Sequence, residues 1–265
     1  MTERPLGLIT GSSSGIGATF ARKLAAWGFD LIITARREQR LQKLAQELQD
    51  EHGVNIEILA ADLADLGGLS AVEKRITAAP DLEILINNAG FGLRGTFAET
   101  PIKKSQSMLD VHVTATMRLT RAVLPGMIER GKGSVINVSS VAAFMTYGGR
   151  TMYSATKAFL NSFSTNLANE LLGTGVKIQA LCPGFTVTEF HDTEEIKGFS
   201  RSRYPSWSWQ NVDFVVDTSL KALDRDRVIV VPGAFYQFAA SVLRGPIGRI
   251  RALYSRRTKS MQEGK

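Results

Sequence analysis

A single cysteine, Cys182, stands in 265 residues, so no internal disulfide can form and a reducing compartment is permitted. It lies in the apolar run Ile178–Pro183, which favours a buried structural thiol over a nucleophile. Three histidines and one cysteine supply no cluster that would hold a metal. No apolar run approaches about 18 residues, so a transmembrane helix is not expected. Met1–Pro5 leads straight into an apolar stretch without the order of a signal peptide, and a cytoplasmic protein is expected. Repeats, low-complexity linkers and breaks in composition are also lacking, which points to one domain over 1–265. The body lacks net charge as well. Residues 244–265 carry seven basic residues and one acid, so +6 of the chain's +7 belongs to that segment and +1 to residues 1–243. A nucleic-acid binder would need a basic face on the body, and that class is set aside.

What is present is an alternation of short apolar runs with amphipathic stretches. Leu6–Thr10, Leu31–Thr34, Ile56–Ala60, Leu82–Ile86, Ser134–Val138, Val176–Leu181 and Arg227–Val231 read as strands. Helices are expected between them, among them Glu38–His52, with Leu41, Leu44, Ala45 and Leu48 on one face, and a long one over Ser105–Arg130. Strand–helix alternation implies parallel βαβ units, hence an α/β, Rossmann-like, doubly wound sheet with helices on both faces.

The first strand runs into Gly11-Ser-Ser-Ser-Gly15-Ile-Gly17 and then a helix. In that context the glycines allow a tight turn, and the helix N-terminus offers unpaired N–H groups to a pyrophosphate. The second strand ends at Ala35-Arg36-Arg37, where an NAD site usually places an acid. An arginine there can clamp a 2′-phosphate, so NADP(H) is favoured over NAD(H), with Arg36 as the principal contact. The other reading makes both arginines solvated charges. Asp62, after the third strand, either accepts from the adenine amino group or caps the next helix. Tyr153 and Lys157 lie four residues apart and share one helix face, where an ammonium favours the phenolate of a tyrosine whose ordinary pKa is near 10. Seven aromatics between 185 and 214 (Phe185, Phe190, Phe199, Tyr204, Trp207, Trp209, Phe214) suggest an apolar pocket wall beyond the strand ends, with some of them, Phe214 especially, read as ordinary core.

Thr10-Gly11-x-x-x-Gly15-x-Gly17, Asn87-Asn88-Ala89-Gly90, Ser140, Tyr153-x-x-x-Lys157 and Pro183-Gly184 occur in one order over residues 6–231. Together they resemble the short-chain dehydrogenase/reductase family, its 3-oxoacyl and hydroxysteroid reductase branch in particular. The resemblance implies hydride transfer between nicotinamide and a carbonyl or alcohol. Tyr153 would be the proton donor, with Ser140 on the substrate oxygen and Lys157 on the nicotinamide ribose. Gly11, Ser13, Ser14, Gly15, Ile16 and Gly17 would line the pyrophosphate. Asp62, Leu63, Asn88, Ala89 and Gly90 would line the adenosine side, and Pro183, Gly184, Thr186 and Thr188 the carboxamide side. One position departs: the family's usual asparagine is His112 here. In the family that asparagine shapes a helix kink whose carbonyl holds a water linked to the lysine. His112 either keeps that backbone role, joins the proton relay, lowers activity, or is a tolerated replacement. The resemblance also implies a homodimer or homotetramer and a small hydrophobic substrate, acyl- or steroid-like. A non-catalytic NADP(H)-binding sensor is the competing class. Phe235, Phe238, Ala239, Val242 and Leu243, followed by the basic segment, form either a peripheral membrane contact or a packed terminal helix with a solvated end.

Overall fold

A computed structural model describes residues 4–145, 148–192, 196 and 200–244. The basic segment beyond 244 and Phe199 lie outside the described residues. Seven parallel strands form one sheet in the order β3-β2-β1-β4-β5-β6-β7: β1 Leu6–Thr10, β2 Asp30–Ala35, β3 Ile56–Ala60, β4 Leu82–Asn87, β5 Gly133–Val138, β6 Val176–Leu181 and β7 Ile229–Val230. The helices are α1 Gly15–Ala26, α2 Glu38–His52, α3 Leu66–Thr77, α4 Ile102–Leu109, α5 Thr116–Glu129, α6 Thr151–Glu170, α7 Val212–Leu223 and α8 Ala234–Arg244.

Because strand side chains alternate, consecutive residues of β1 feed opposite cores. Ile9 packs with Phe20, Leu24, Leu41 and Val216 on the side of α1, α2 and α7. Leu8 packs with Leu69, Val72, Leu119 and Met127 on the side of α3 and α5. Burial on both faces explains why the strands read as continuous apolar runs. From β1 the sheet grows outward through β2 and β3, and from β4 it grows the other way. The crevice between these strand ends is where an open α/β sheet receives its ligand.

The stretch expected as one long helix is interrupted. Asp110–Ala115 is π-helical, between α4 and α5. A π turn widens the helix by one residue per turn and shifts its carbonyls out of the i to i+4 pattern. His112 sits in the middle of it.

Candidate active site

A cleft of about 1010 Å³ opens along the carboxyl ends of the strands. Its floor is the glycine turn. Gly11 and Gly15 have φ of +67° and +54°, a left-handed backbone that side chains strain to adopt. A Cβ on Gly17 would come to 2.5 Å from the Gly11 carbonyl and from Asn88 Nδ2. The turn is therefore stripped of side chains where α1 begins, a shape that fits a pyrophosphate lying on the backbone. Asn88 spends its amide on the carbonyls of Thr10 (2.9 Å) and Gly11 (3.1 Å). Thr10 Oγ1 in turn accepts from the N–H groups of Asn88 and Ala89, both at 2.9 Å. Asn88 thus braces the glycine turn from β4.

Ser13, Ser14, Ile16, Arg36, Asp62, Leu63, Ala89 and Gly90 line this cleft, as do Pro183, Gly184, Thr186 and Thr188. Two details sharpen the sequence reading. The helix after β3 is capped by Asp65, which accepts from Gly68 N–H at 2.8 Å, so Asp62 is not the cap and instead accepts from Ala64 N–H at 3.0 Å. Arg37, not Arg36, reaches the glycine turn, donating to Ser13 Oγ at 2.9 Å and Ser14 Oγ at 2.8 Å. Sequence reasoning also passed over Glu189, whose carboxylate is held by Arg40 at 2.6 and 2.8 Å and by Arg37 at 3.3 Å. Pairs 149 and 152 residues apart leave no local sequence signal.

At the other end of the cleft, α6 presents Tyr153 and Lys157, both buried, with Lys157 Nζ 5.7 Å from the Tyr153 ring centre. Lys157 Nζ donates to the Val138 carbonyl at 2.8 Å, and Ser139 Oγ donates to the Lys157 carbonyl at 2.9 Å. Burial lowers the Lys157 pKa from 10.5 to about 8. Ser140 Oγ accepts from Ala142 N–H at 3.1 Å, starting a 3₁₀ turn over Val141–Phe144. Since that bond uses a lone pair, the hydroxyl hydrogen is left for another partner.

His112 is 1 % exposed, with both ring nitrogens engaged. Nε2 accepts from Phe91 N–H at 3.0 Å, which places the ring proton on Nδ1, and Nδ1 lies 3.0 Å from Thr156 Oγ1. Thr156 Oγ1 donates to the Tyr153 carbonyl at 2.9 Å. Burial, and then the nearby Lys157 charge, holds the His112 pKa well below 6.5. A Cβ on Gly90 would meet His112 Nε2 at 2.8 Å, so the glycine that closes the Asn-Asn-Ala-Gly run makes room for this ring.

The wall beside Tyr153 is aromatic. Phe190 lies 6.0 Å from the Tyr153 ring, while Phe185 stacks on Trp209 at 5.2 Å and meets Tyr204 at 4.5 Å. Trp207, expected in that wall, is instead 65 % exposed, and Phe214, expected in the core, is 48 % exposed. Among the described residues no group of three or more His, Cys, Asp or Glu side chains is placed to hold a metal ion.

A cradle for a dinucleotide at a sheet switch point, with tyrosine and lysine on the facing helix, defines an α/β oxidoreductase. The family model for short chain dehydrogenases matches residues 6–197, and the chain belongs to that family. It is 41 % identical over 189 residues to serine 3-dehydrogenase of Agrobacterium fabrum, 69 % of this chain and 72 % of that protein. Its structure matches that of a short-chain dehydrogenase from Sphingobium yanoikuyae in complex with NADPH, with TM-score 0.82, 36 % identity and coverage of 98 % and 96 % of the two chains. It also matches the bulky-bulky ketone specific alcohol dehydrogenase of Comamonas testosteroni, with TM-score 0.78, 32 % identity and coverage of 100 % and 96 %. The protein is an NADP(H)-dependent oxidoreductase acting on CH–OH and C=O groups.

Proposed function

We propose that the protein is a carbonyl reductase for a bulky, largely apolar ketone or the corresponding alcohol. The observation that carries this reading is an aromatic wall in the cleft: Phe190 lies beside Tyr153, Phe185 and Tyr204 line the same cleft, and Trp209 stacks on Phe185. Such a wall favours apolar surface over a small charged hydroxy acid. The bulky-ketone specificity of the Comamonas protein agrees with it, whereas the serine relative's name points to a small polar substrate.

NADP(H), when bound, supplies or accepts the hydride. Tyr153 gives a proton to the carbonyl oxygen during reduction and takes it back during oxidation. Ser140, its lone pair occupied by Ala142 N–H, donates its hydroxyl hydrogen to the same oxygen. Lys157 holds ribose hydroxyls and stays charged up to about pH 8. Arg37 with Ser13 binds the 2′-phosphate, and Arg36 flanks it. For His112 the ring contacts favour the backbone role: with Nε2 accepting from Phe91 and Nδ1 on Thr156, it ties the Gly90 turn to the Tyr153 turn of α6.

The exposed Ile102, Met117 and Ile128 and the stacked Phe159 and Phe163 support pairing of helices α4 to α6 with those of further copies. A cytoplasmic setting with peripheral contact at an anionic membrane is consistent with the exposed Phe235 and Phe238 of α8 ahead of the basic segment.

The test is Tyr153→Phe assayed with bulky ketones, serine and short 3-hydroxy acids. The parent should turn over the ketones with the higher kcat/KM, and the variant should lose turnover while still binding NADPH. Preference for serine or hydroxy acids sinks the substrate reading. Parent turnover in the variant sinks the proton-donor assignment, and no turnover by the parent on any carbonyl favours a sensor.

A further inference from the structure

Three consecutive residues after β6 touch three parts of the cleft. The Thr188 side chain lies against the glycine turn, 3.2 Å from where a Cβ on Gly15 would be. Glu189 crosses to β2 and α2, where Arg40 and Arg37 hold it. Phe190 packs on the Tyr153 ring. The Phe190 N–H donates to Thr188 Oγ1 at 3.3 Å, and the Thr188 carbonyl accepts from Arg201 at 2.7 Å, so the three move as one short unit. Arg37 therefore already carries an anion on the guanidinium that also touches Ser13 and Ser14.

We propose that Glu189 is an internal anion that competes with the 2′-phosphate of NADP(H) for Arg37, and that this exchange links cofactor choice to the placement of Phe190 on Tyr153. The inference rests on the NADP(H) reading of the site. In the free protein Glu189 bridges Arg40 and Arg37. An arriving 2′-phosphate takes the Arg37 half of the bridge, and Arg40, the shorter contact, keeps the carboxylate and with it the 188–190 unit. NADH has no phosphate at that position and leaves the bridge whole. Glu189 thus weakens NADPH binding in exchange for a loop that responds to the phosphate, a coupling that must act equally in both directions.

The bridge is about half exposed, so it is a weak competitor and its removal has a bounded effect. Glu189→Gln keeps the shape and removes the charge. NADPH and NADH dissociation constants are measured by titration calorimetry on the parent and on this variant. Thermal unfolding of the two proteins is compared, and an unchanged midpoint is expected for an exposed position. NADPH should bind the variant about three- to fivefold more tightly, within what an exposed ion pair allows, with NADH within about twofold of the parent. Weaker or unchanged NADPH binding overturns the proposal, as does an equal gain for both cofactors. Parent protein that favours NADH would instead refute the cofactor reading beneath it, and the two failures are told apart by the parent titration alone.

Discussion

His112 and Lys157 are both buried, and the Lys157 charge bears on His112. His112 is neutral because burial and the Lys157 charge both oppose its proton. Its folded pKa is depressed, so the unfolded chain takes up a proton that the folded one refuses once pH falls below about 6.5. Stability carried by this residue is full above that pH and is lost on acidification. His112→Ala should cost about 1–3 kcal/mol by leaving Phe91 N–H unpaired and removing the ring N–H from Thr156 Oγ1, and should flatten the loss of stability between pH 6.5 and 5. A kcat/KM profile of the parent with a limb near pH 6.5 that vanishes in the variant would instead make His112 a relay. Lys157 is the converse case. Between pH 8 and 10.5 the unfolded chain keeps a proton that the folded one has shed, so stability rises with pH across that window. Lys157→Met should abolish turnover yet unfold at a higher temperature at pH 7. The buried ammonium costs about 3 kcal/mol there, and the lost bond to Val138 returns only about 1. The gain should fade by pH 10; a destabilised variant at pH 7 would show that the ammonium is better compensated than its surroundings indicate. The Tyr153 and Lys157 spacing could be read from sequence because one helical turn fixes it. The His112 contacts could not, because Phe91 and Thr156 meet it only through the π turn.

At the scale of elements, the glycine turn and the segment that follows β4 work as a single part. Asn88 grips the Thr10 and Gly11 carbonyls from β4, and Gly17 lies under the same amide. A methyl group at Gly17 has no path that avoids the Gly11 carbonyl, which is backbone and cannot rotate away. Gly17→Ala should therefore weaken NADPH binding by tenfold or more, read by fluorescence titration, while Gly28→Ala, with open space around it, should leave binding unchanged. Equal affinities in parent and Gly17→Ala would mean that the turn can open without loss of the cradle. Element boundaries were readable wherever periodicity and caps agreed: α2 ends at Gly53 in a left-handed conformation, and β3 and β6 run over the expected residues. The break at Asp110–Ala115 left no mark in the apolar periodicity, and only the family resemblance pointed to a kink at His112. Of the two roles open to Asp62 in the sequence, the cap falls to Asp65, since the two stand three apart and only the chain geometry chooses which one caps.

The whole molecule separates its charge from its chemistry. Residues 1–243 are nearly balanced, while 244–265 carry +6, so long-range attraction to an anionic surface originates in one short segment. The terminal helix α8 splits its aromatics between two tasks. Tyr236 is buried, accepting from Phe185 N–H at 3.1 Å and donating to the Ser208 carbonyl at 2.7 Å, which anchors the helix behind the aromatic wall. Phe235 and Phe238 face outward, and Trp207 meets Phe235 at 4.7 Å. Helical spacing in the sequence singled out Phe235, Phe238, Ala239, Val242 and Leu243, whereas the face that packs inward is another one, with Tyr236 and Ala240 clustered with Cys182 and Val231. Deletion after residue 243 keeps that anchor and removes the basic segment. Each basic residue near an anionic leaflet contributes about 1 kcal/mol, so the truncated chain should lose more than tenfold in binding to vesicles containing phosphatidylserine. NADPH oxidation with a soluble ketone should be unchanged, because the described lining of the cleft runs from Gly11 to Tyr236. Co-sedimentation at low and physiological salt checks this, with binding by the full chain falling as salt rises. A full-length chain that stays in the supernatant with anionic vesicles at low salt would assign the segment another purpose and leave α8 as an anchor alone.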